Sequence, residues 1–406
     1  MTDPEMEDIE IEDNCEIIPP ETLRLYLVGI CGTFLAAISL VFNTFLFFLL
    51  VKNRQHRRSH LLYLLLLALI DTFLSASYIL LFPVNLFMDY FASEILAAAW
   101  WTYMRPMLAL CHVAITASAL LITAATFERF LTISKIQSQF STGKRLIISS
   151  IALFFAAAAK APMYFEMQIL NNGNCSGVTA FEPSMHDWTY EEPYKTVYKF
   201  WFRSIVSTFL PFFLSLNFNI RIVHRLRQQH TGARLFKFAT SEHRRHIRSA
   251  TMMLVFITCT YLACNLLNVI VTAWEFIDQN SLLTPEIRPF YTYSSDLVSL
   301  LTIVASAARL PIYYACNARI RREVNVVLLR CLPCVNYEWK LSREDLATMR
   351  YFNTGNGYVI YSSPVKDSPE NPETKCVVGT GFDKIVLTVA MNGWSRHSSR
   401  KLRTKD

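Results

Sequence analysis

Charged residues are scarce in this chain of 406 residues. They make up 17% of it, against about 25% in an ordinary soluble domain, while hydrophobic residues make up 52% and the mean hydropathy is +0.27. Only 11 residues are glycine, which argues against a collagen-like or low-complexity chain. The 10 cysteines are too dispersed for a small disulfide-stabilised fold, and most lie within apolar runs. Either a very large apolar core or a membrane must accommodate the hydrophobic excess.

Motifs of several protein classes are also missing. The sequence contains no His-Glu-x-x-His, Gly-x-Ser-x-Gly or Walker pattern, and no second Cys pair or His cluster that would make a zinc site with Cys331 and Cys334. Internal repeats, which a transporter or channel would usually show, are not visible. The positive charge follows short loops rather than one nucleic-acid-binding surface. We therefore expect no enzyme activity, cofactor, metal or nucleic-acid partner, with a transporter or channel as an alternative.

Hydrophobic residues are concentrated in seven runs. Each is close to the roughly 20 helical residues that cross the hydrocarbon core of a bilayer. A buried core helix could explain any one of them, but seven runs joined by short polar loops favour membrane spans. The runs cover residues 25–51, 61–88, 106–127, 146–165, 203–221, 249–274 and 297–318. The sequence therefore predicts an all-α membrane protein, a bundle of seven transmembrane helices.

The charges between the runs indicate the orientation of the chain. The segment before the first run has nine acidic residues and one basic residue, Arg24, whereas the loop between the fifth and sixth runs has seven basic residues against Glu242 alone. Because Lys and Arg are enriched in cytoplasmic loops, we expect the N-terminus outside and a multi-pass protein of the plasma membrane. The first 22 residues contain no apolar stretch, so we expect no cleavable signal peptide. Asn174 lies in an outer loop and is a candidate glycosylation site.

Asp71 and Arg309 lie within the runs, and Glu128 and Arg129 at the cytoplasmic end of span three; charge inside a membrane is costly and often functional. Asp71 has either an ion-binding or switch role, or is protonated and hydrogen-bonded in the bundle. Arg309 is too far from either end of its span to reach the interface, and a buried pair with Asp71 is one solution. Glu128 and Arg129 are adjacent on a helix and do not face each other squarely, so Arg129 is free to contact another helix.

These features together resemble rhodopsin-like G-protein-coupled receptors over about residues 23–331. The resemblance implies a sodium-binding polar core and an arginine, Arg129, that holds the inactive state and then meets a heterotrimeric G protein. It also implies Tyr314 as a switch residue. The residues that match family positions are Asn43, Asp71 and Ser118 in the core, Glu128-Arg129-Phe130 for Asp/Glu-Arg-Tyr, Pro211 in span five, and Pro311 and Tyr314 in an Asn-Pro-x-x-Tyr-like segment.

Two strings look like those of invertebrate FMRFamide-type neuropeptide receptors. They are KAPMYFEMQI after span four and FITCTYLACNLLN in span six. This resemblance implies an amidated neuropeptide as the extracellular ligand. Divergent chemoreceptors could share such apolar strings, so a small chemosensory molecule is the alternative ligand.

The chain also departs from the family pattern. Met104 replaces the span-three cysteine of the usual disulfide, and a Cys15–Cys175 bridge or a free Cys175 are the alternatives for the outer side. Leu267 and Leu310 replace the family's span-six Pro and span-seven Asn, so a receptor that does not signal is also possible. Ile247 stands where some relatives have an acidic partner for the arginine, so we expect Glu128 alone to restrain it.

We expect the ligand pocket between spans three, five, six and seven, near their outer ends. Glu166 or Asp296 would receive the cation of a peptide that ends in Arg-Phe. His112, taken alone, is also typical of a hydrogen-bonded core residue. The candidate ligand residues are Arg105, Cys111, His112, Glu166, Asn268 and Asp296.

The sequence predicts four regions. These are an acidic extracellular tail over 1–22, the bundle over 23–316, an amphipathic juxtamembrane helix over 317–336 and a disordered cytoplasmic tail over 337–406. Cys331 and Cys334 are placed for palmitoylation next to the short helix. The basic inner loops are expected to attract anionic membrane lipids.

Overall fold

The computed structural model describes residues 15, 19–53, 61–134, 140–173, 175–235, 242–277, 284 and 287–331, and four short strands in the C-terminal tail. Side chains are described within these ranges except at residues 229–248, 276 and 328–331 and in the tail strands. Residues 1–328 and 329–406 form two separate compact units.

Seven helices of the first unit are long and apolar enough to cross a membrane. Each coincides with one of the seven hydrophobic runs, which confirms the seven-helix prediction. We number them α1 to α7: Thr22–Lys52, Leu61–Tyr90, Glu94–Ile133, Thr142–Glu166, Tyr194–Gln228, Ser249–Glu275 and Arg288–Cys316. The fifth continues to Leu235, the sixth runs over Glu242–Ile277, and an eighth, α8, spans Ala318–Cys331.

The helices expose large apolar side chains outward and pack smaller or polar ones inward. On α1, Phe34, Val41 and Phe48 are about two-thirds exposed, whereas Ala36 and Asn43 are fully buried. In water such an outer face would be unfavourable, but it suits hydrocarbon, where small residues at the interface let helices approach closely. The pattern is that of a membrane bundle.

The third helix begins well before the run that predicted it. Ser93 caps its N-terminus, its Oγ accepting a hydrogen bond from the Leu96 N–H at 3.4 Å, and Glu94 in the first turn favours the helix dipole. The start at residue 106 is therefore wrong. Arg105 interrupts the apolar run without ending the helix.

A β-hairpin follows α4. Its strands, β1 (Met167–Asn171) and β2 (Phe181–Met185), are antiparallel, with Met167 opposite Met185 and Asn171 opposite Phe181. We call the end of the bundle next to this hairpin, where α1 begins, the hairpin end, and the end where α7 finishes the α8 end.

Asn317 separates α7 from α8. It ends α7, and its side-chain Oδ1 accepts hydrogen bonds from the backbone N–H groups of Arg319 at 3.1 Å and Ile320 at 3.4 Å, which caps the start of α8. The sequence predicts a short helix over 317–336 after span seven; α8 spans Ala318–Cys331, and residues 332–336 lie outside the described ranges.

The second unit contains two antiparallel hairpins. Phe352–Thr354 pairs with Gly357–Val359, and Lys375–Val378 pairs with Ile385–Thr388. The prediction of a disordered tail over 337–406 falls mostly on residues that lie outside the described ranges, and it stays a prediction.

Candidate functional site

A buried ion pair joins α2 and α7 at the centre of the bundle. Arg309 donates from Nη1 to Asp71 Oδ2 and from Nη2 to Ser118 Oγ on α3, the second at 3.2 Å. Ser306 Oγ donates to Asp71 Oδ1 at 3.1 Å. The Asp71 side chain is fully buried and that of Arg309 is 6% exposed. Both carboxylate oxygens therefore have partners, and the geometry is that of the ion pair rather than an isolated protonated acid.

Asn43 extends this polar core to α1. Its Nδ2 donates to the backbone oxygen of Ser39 at 2.9 Å and to that of Ser306 at 3.2 Å. Ser75 Oγ on α2 donates to Ser39 Oγ at 2.7 Å. Three helices are thus joined around the ion pair by buried hydrogen bonds.

A small cavity lies on the hairpin side of the ion pair, between α2, α3, α5, α6 and α7. Its volume is about 30 Å³. Because roughly 10–15 Å³ holds one water molecule, it has room for about two waters, far less than the roughly 300 Å³ or more of a typical small-molecule pocket. All six candidate ligand residues are described, and of these Asn268 lines the cavity. Its lining includes one charged residue, Arg309, and no carboxylate.

The two acidic ligand candidates are each paired with an arginine. Glu166 accepts from Arg203 Nη1 at 3.1 Å, from Arg203 Nη2, and from the Tyr194 hydroxyl at 2.5 Å. Asp296 accepts from Arg24 Nε at 2.6 Å and Nη2 at 3.2 Å. Both carboxylates are buried. A ligand cation would have to displace an internal arginine to reach either of them.

The other candidates on α3 are separate from these pairs. Arg105 donates from Nε to the Tyr164 backbone oxygen at 2.7 Å, and its guanidinium carbon lies 4.4 Å from the centre of the Tyr164 ring. Cys111 is a buried free thiol. His112 is partly buried, and cationic side chains of α4 and α5 act on it electrostatically. The six residues therefore do not form one pocket.

A second buried charge cluster lies near the α8 end. Arg145 of α4 binds the Glu128 carboxylate with two nitrogens, Nη2 at 2.7 Å and Nε at 3.0 Å. Arg129 is 7% exposed, and among the described residues its buried Nη2 has no hydrogen-bond partner. The structure thus differs from the expectation that Glu128 restrains Arg129, because a bidentate arginine from the next helix already holds that carboxylate.

Phe130 and Pro211 both contact a neighbouring helix. The Phe130 ring stacks on Phe218 of α5 with 5.6 Å between ring centres. The Pro211 backbone oxygen, near the start of the regular part of α5, accepts from Thr123 Oγ1 at 3.3 Å. These contacts join α3 to α5.

Tyr314 joins α7 to α8. Its hydroxyl donates to Asn325 Oδ1 at 3.1 Å, and Pro311 lies within α7 one turn earlier. Within the described residues, no group of three or more His, Cys, Asp or Glu could hold a metal ion.

A family model described as "7 transmembrane receptor (rhodopsin family)" matches residues 42–308, well over half of the chain. The chain belongs to this receptor family. The matched region contains five whole spans, α2 to α6, parts of α1 and α7, and most of the polar core, and the family is a class of receptors rather than enzymes. No curated protein matches the chain.

Four basic residues of the receptor were missed as site residues by the sequence reasoning. Arg24, Arg145 and Arg203 each bind a buried carboxylate, and Lys160 lies among charged groups of other helices. All four occur within or at the edges of the hydrophobic runs, where they resemble residues that reach the interface. The sequence did contain one signal for these residues, namely the number of basic residues in and next to the spans compared with the few carboxylates there.

The remaining candidates concern covalent modification. The structure joins Cys15 and Cys175 by a disulfide, with their Cα atoms 5.4 Å apart, which is the bridge considered from the sequence. Cys331 ends α8, and its side chain lies outside the described set. Asn174 and Cys334 lie outside the described residues, so glycosylation and palmitoylation stay predictions.

Proposed function

We propose that this receptor lies in the plasma membrane with its N-terminus outside, binds an extracellular ligand at the hairpin end and activates a heterotrimeric G protein at the α8 end. Membership of the rhodopsin family supports the receptor role. The acidic segments before α1 and around the hairpin, and the basic loops at the opposite end, support the orientation.

One observation carries the proposed signalling role. Arg129 is a buried guanidinium beside a small cavity that is also lined by Ala250, Met253 and Leu254 of α6. An unpartnered buried donor is costly, so a partner that supplies oxygen acceptors from the α8 end would gain strong, charge-assisted hydrogen bonds. Access to Arg129 requires α6 to move outward. A ligand that favours the displaced arrangement would then favour binding of the partner as well.

The ligand that we propose is an amidated peptide of the FMRFamide-like class, supported by the two sequence strings. The central cavity of about 30 Å³ also favours a peptide over an enclosed small molecule, because a peptide can bind across the hairpin end without filling the core. We do not assign its cation to Glu166 or Asp296, since both are held by arginines.

Lipid and covalent contacts complete the proposal. We propose that α8, followed by Cys331 and Cys334, lies along the inner leaflet as an amphipathic, palmitoylated helix. The basic inner loops would add attraction to anionic lipids. Glycosylation at Asn174 would fall on the outer side.

Calcium and cyclic-AMP signalling in transfected cells tests this function. Cells that express the receptor are exposed first to a panel of amidated peptides and then to small odorants. A peptide response that is lost in Arg129→Ala and kept in Lys144→Ala, an exposed control on α4, supports the proposal. Normal signalling by Arg129→Ala at matched surface expression contradicts the mechanism, and responses to odorants alone contradict the peptide assignment.

A further inference from the structure

The small cavity beside Arg129 is lined by two residues whose buried polar groups make no hydrogen bond. These groups are the Tyr63 hydroxyl of α2 and the Arg129 Nη2 of α3, and neither has a hydrogen-bond partner within the described residues. Tyr63 is 1% exposed and Arg129 is 7% exposed. A buried donor that lacks an acceptor is unfavourable, and two such donors on one cavity indicate where an acceptor binds.

The charges next to this cavity do not cancel. Among the described residues, Glu128, Arg129 and Arg145 supply one negative and two positive charges, and Arg145 holds the Glu128 carboxylate with two nitrogens at 2.7 and 3.0 Å. Glu128 also acts electrostatically on Arg129 and on the Tyr63 hydroxyl, but it is not among the described residues that line the cavity. One further negative charge would neutralise this group of three.

The size and lining of the cavity restrict what can fill it. Its volume is about 10 Å³, which is close to the roughly 10–15 Å³ that one water molecule needs. The other described lining residues are all apolar, namely Leu64, Ala125, Ala250, Met253 and Leu254. A water molecule could accept from both donors, but its own two hydrogens would then meet mostly apolar side chains. A halide ion is close to water in size, accepts hydrogen bonds and has no hydrogen to satisfy.

We propose that Tyr63 and Arg129 form a binding site for a single halide ion, which is chloride in the cell. Arg129 supplies the charge and the Nη2 donor, the Tyr63 hydroxyl supplies a second donor from the neighbouring helix, and apolar side chains of α6 cover the ion. The bound ion neutralises Arg129 and favours the arrangement in which α6 covers it. This effect on signalling rests on the proposed function, because the same movement of α6 would admit the G protein, whereas the binding of the ion does not depend on it.

Thermal unfolding of the purified full-length receptor in a neutral detergent tests the site without any signalling partner. Sodium gluconate, whose anion is too large for the cavity, is replaced stepwise by sodium chloride or sodium bromide at constant ionic strength. We expect both halides to raise the unfolding temperature saturably, as a ligand of the folded state does. The absence of a saturable rise up to about a hundred millimolar chloride would overturn the proposal and leave the proposed function untouched.

Variants locate the effect. Arg129→Gln removes the charge and should abolish the saturable rise, and Tyr63→Phe removes one donor to a charged acceptor and should weaken chloride binding about tenfold or more. Lys144→Gln makes the same charge change at an exposed position of α4 and should respond as the wild type does. Because the Tyr63 hydroxyl makes no hydrogen bond in the described part of the chain, Tyr63→Phe is expected to fold. An unchanged chloride response in either cavity variant would overturn the assignment.

Bromide and hydrogen exchange show where the ion binds and what it restrains. Crystals of the receptor in sodium bromide should give an anomalous peak within hydrogen-bond distance of both donors, and none in Arg129→Gln. Chloride should slow backbone hydrogen exchange over residues 249–256 of α6 in the wild type and have no effect there in Arg129→Gln. A water molecule or an empty cavity in the bromide crystals, or exchange in α6 that chloride does not change, would contradict the proposal.

Discussion

Replacing Asp71 by asparagine separates the two explanations for a carboxyl group inside the bundle. Asparagine has the shape and the hydrogen-bonding capacity of a protonated aspartic acid, but carries no charge. If Asp71 were protonated, Asp71→Asn would change the free energy of unfolding very little. If Asp71 is ionised and paired with Arg309, as the contacts indicate, the variant leaves a guanidinium buried without its counter-charge.

The magnitude follows from the burial of this pair. Removing one partner of a buried ion pair typically costs about 3–5 kcal/mol, because the other charge stays desolvated. For a protein of this size that corresponds to a fall in unfolding temperature of roughly 4–7 °C. The Ser118 hydroxyl and the Asp71 side-chain oxygen left in the variant do not replace the lost charge.

The assay is thermal unfolding of the purified receptor in single and double variants of the pair. We expect Asp71→Asn and Arg309→Met each to lower the unfolding temperature, and Asp71→Leu combined with Arg309→Met to recover most of the loss, since an apolar replacement of a buried pair is often neutral. Ser118→Ala, which removes one 3.2 Å hydrogen bond, is the control and should cost less. An unfolding temperature of Asp71→Asn within about 2 °C of the wild type would refute the ion-pair reasoning.

Three further predictions use the same purified receptor. Arg145→Gln leaves the Glu128 carboxylate buried without its bidentate partner, and a loss well below about 3 kcal/mol would contradict that pairing. Alkylation followed by mass spectrometry should find Cys15 and Cys175 unmodified until a reductant is added, and both thiols free without reductant would exclude the bridge. Burial raises the pKa of the Glu323 carboxyl in α8 above its ordinary value of about 4.5. Its contribution to stability is therefore complete below that pH and lost as the pH rises through the raised pKa. The unfolding temperature should fall over that range relative to Glu323→Gln, and parallel pH curves would contradict this.

The spans could be predicted because hydrophobic length is a local property of the chain. Seven runs of sufficient length correspond to seven helices, and a misplaced boundary arose at Arg105, where one charge within an apolar stretch was taken as its limit. The pairing of Asp71 with Arg309 was also accessible, because few charges lie deep in the spans and a buried charge needs a partner.

The other ion pairs could not be predicted, because they depend on how the helices are rotated against each other. Glu128 is adjacent to Arg129 in sequence, yet Arg145 from α4 holds its carboxylate. Glu166 was expected to face a ligand, yet it is bound by Arg203 of α5. Hydropathy specifies which residues enter the membrane and not which helix faces they occupy, so sequence neighbours and charge alone suggested the wrong partners.

The ion pairs between helices are unevenly distributed over the described part of the bundle. Four buried or partly buried pairs there join α1 to α7, α2 to α7, α3 to α4, and α4 to α5. Over residues 249–275, where its side chains are described, α6 takes part in none of them. Its contacts there include neutral hydrogen bonds, such as Thr126 Oγ1 to Thr258 Oγ1 at 3.1 Å and Asn219 Nδ2 to Cys259 Sγ at 3.1 Å.

Over residues 249–275, the neutral hydrogen bonds of α6 are worth about 0.5–1.5 kcal/mol each, and the bond from the Tyr291 hydroxyl to Glu275 about 1.5–3 kcal/mol, whereas separating one of the buried ion pairs costs about 3–5 kcal/mol. The small cavity beside Arg129 is lined in part by α6 residues, so a segment of α6 that takes part in none of these four pairs also lies over the buried Arg129 Nη2, which has no hydrogen-bond partner among the described residues. Under the mechanism that we propose, a ligand at the hairpin end would expose Arg129 if its affinities for the two arrangements of α6 differed by a few kcal/mol, since a difference of that size shifts a two-state equilibrium.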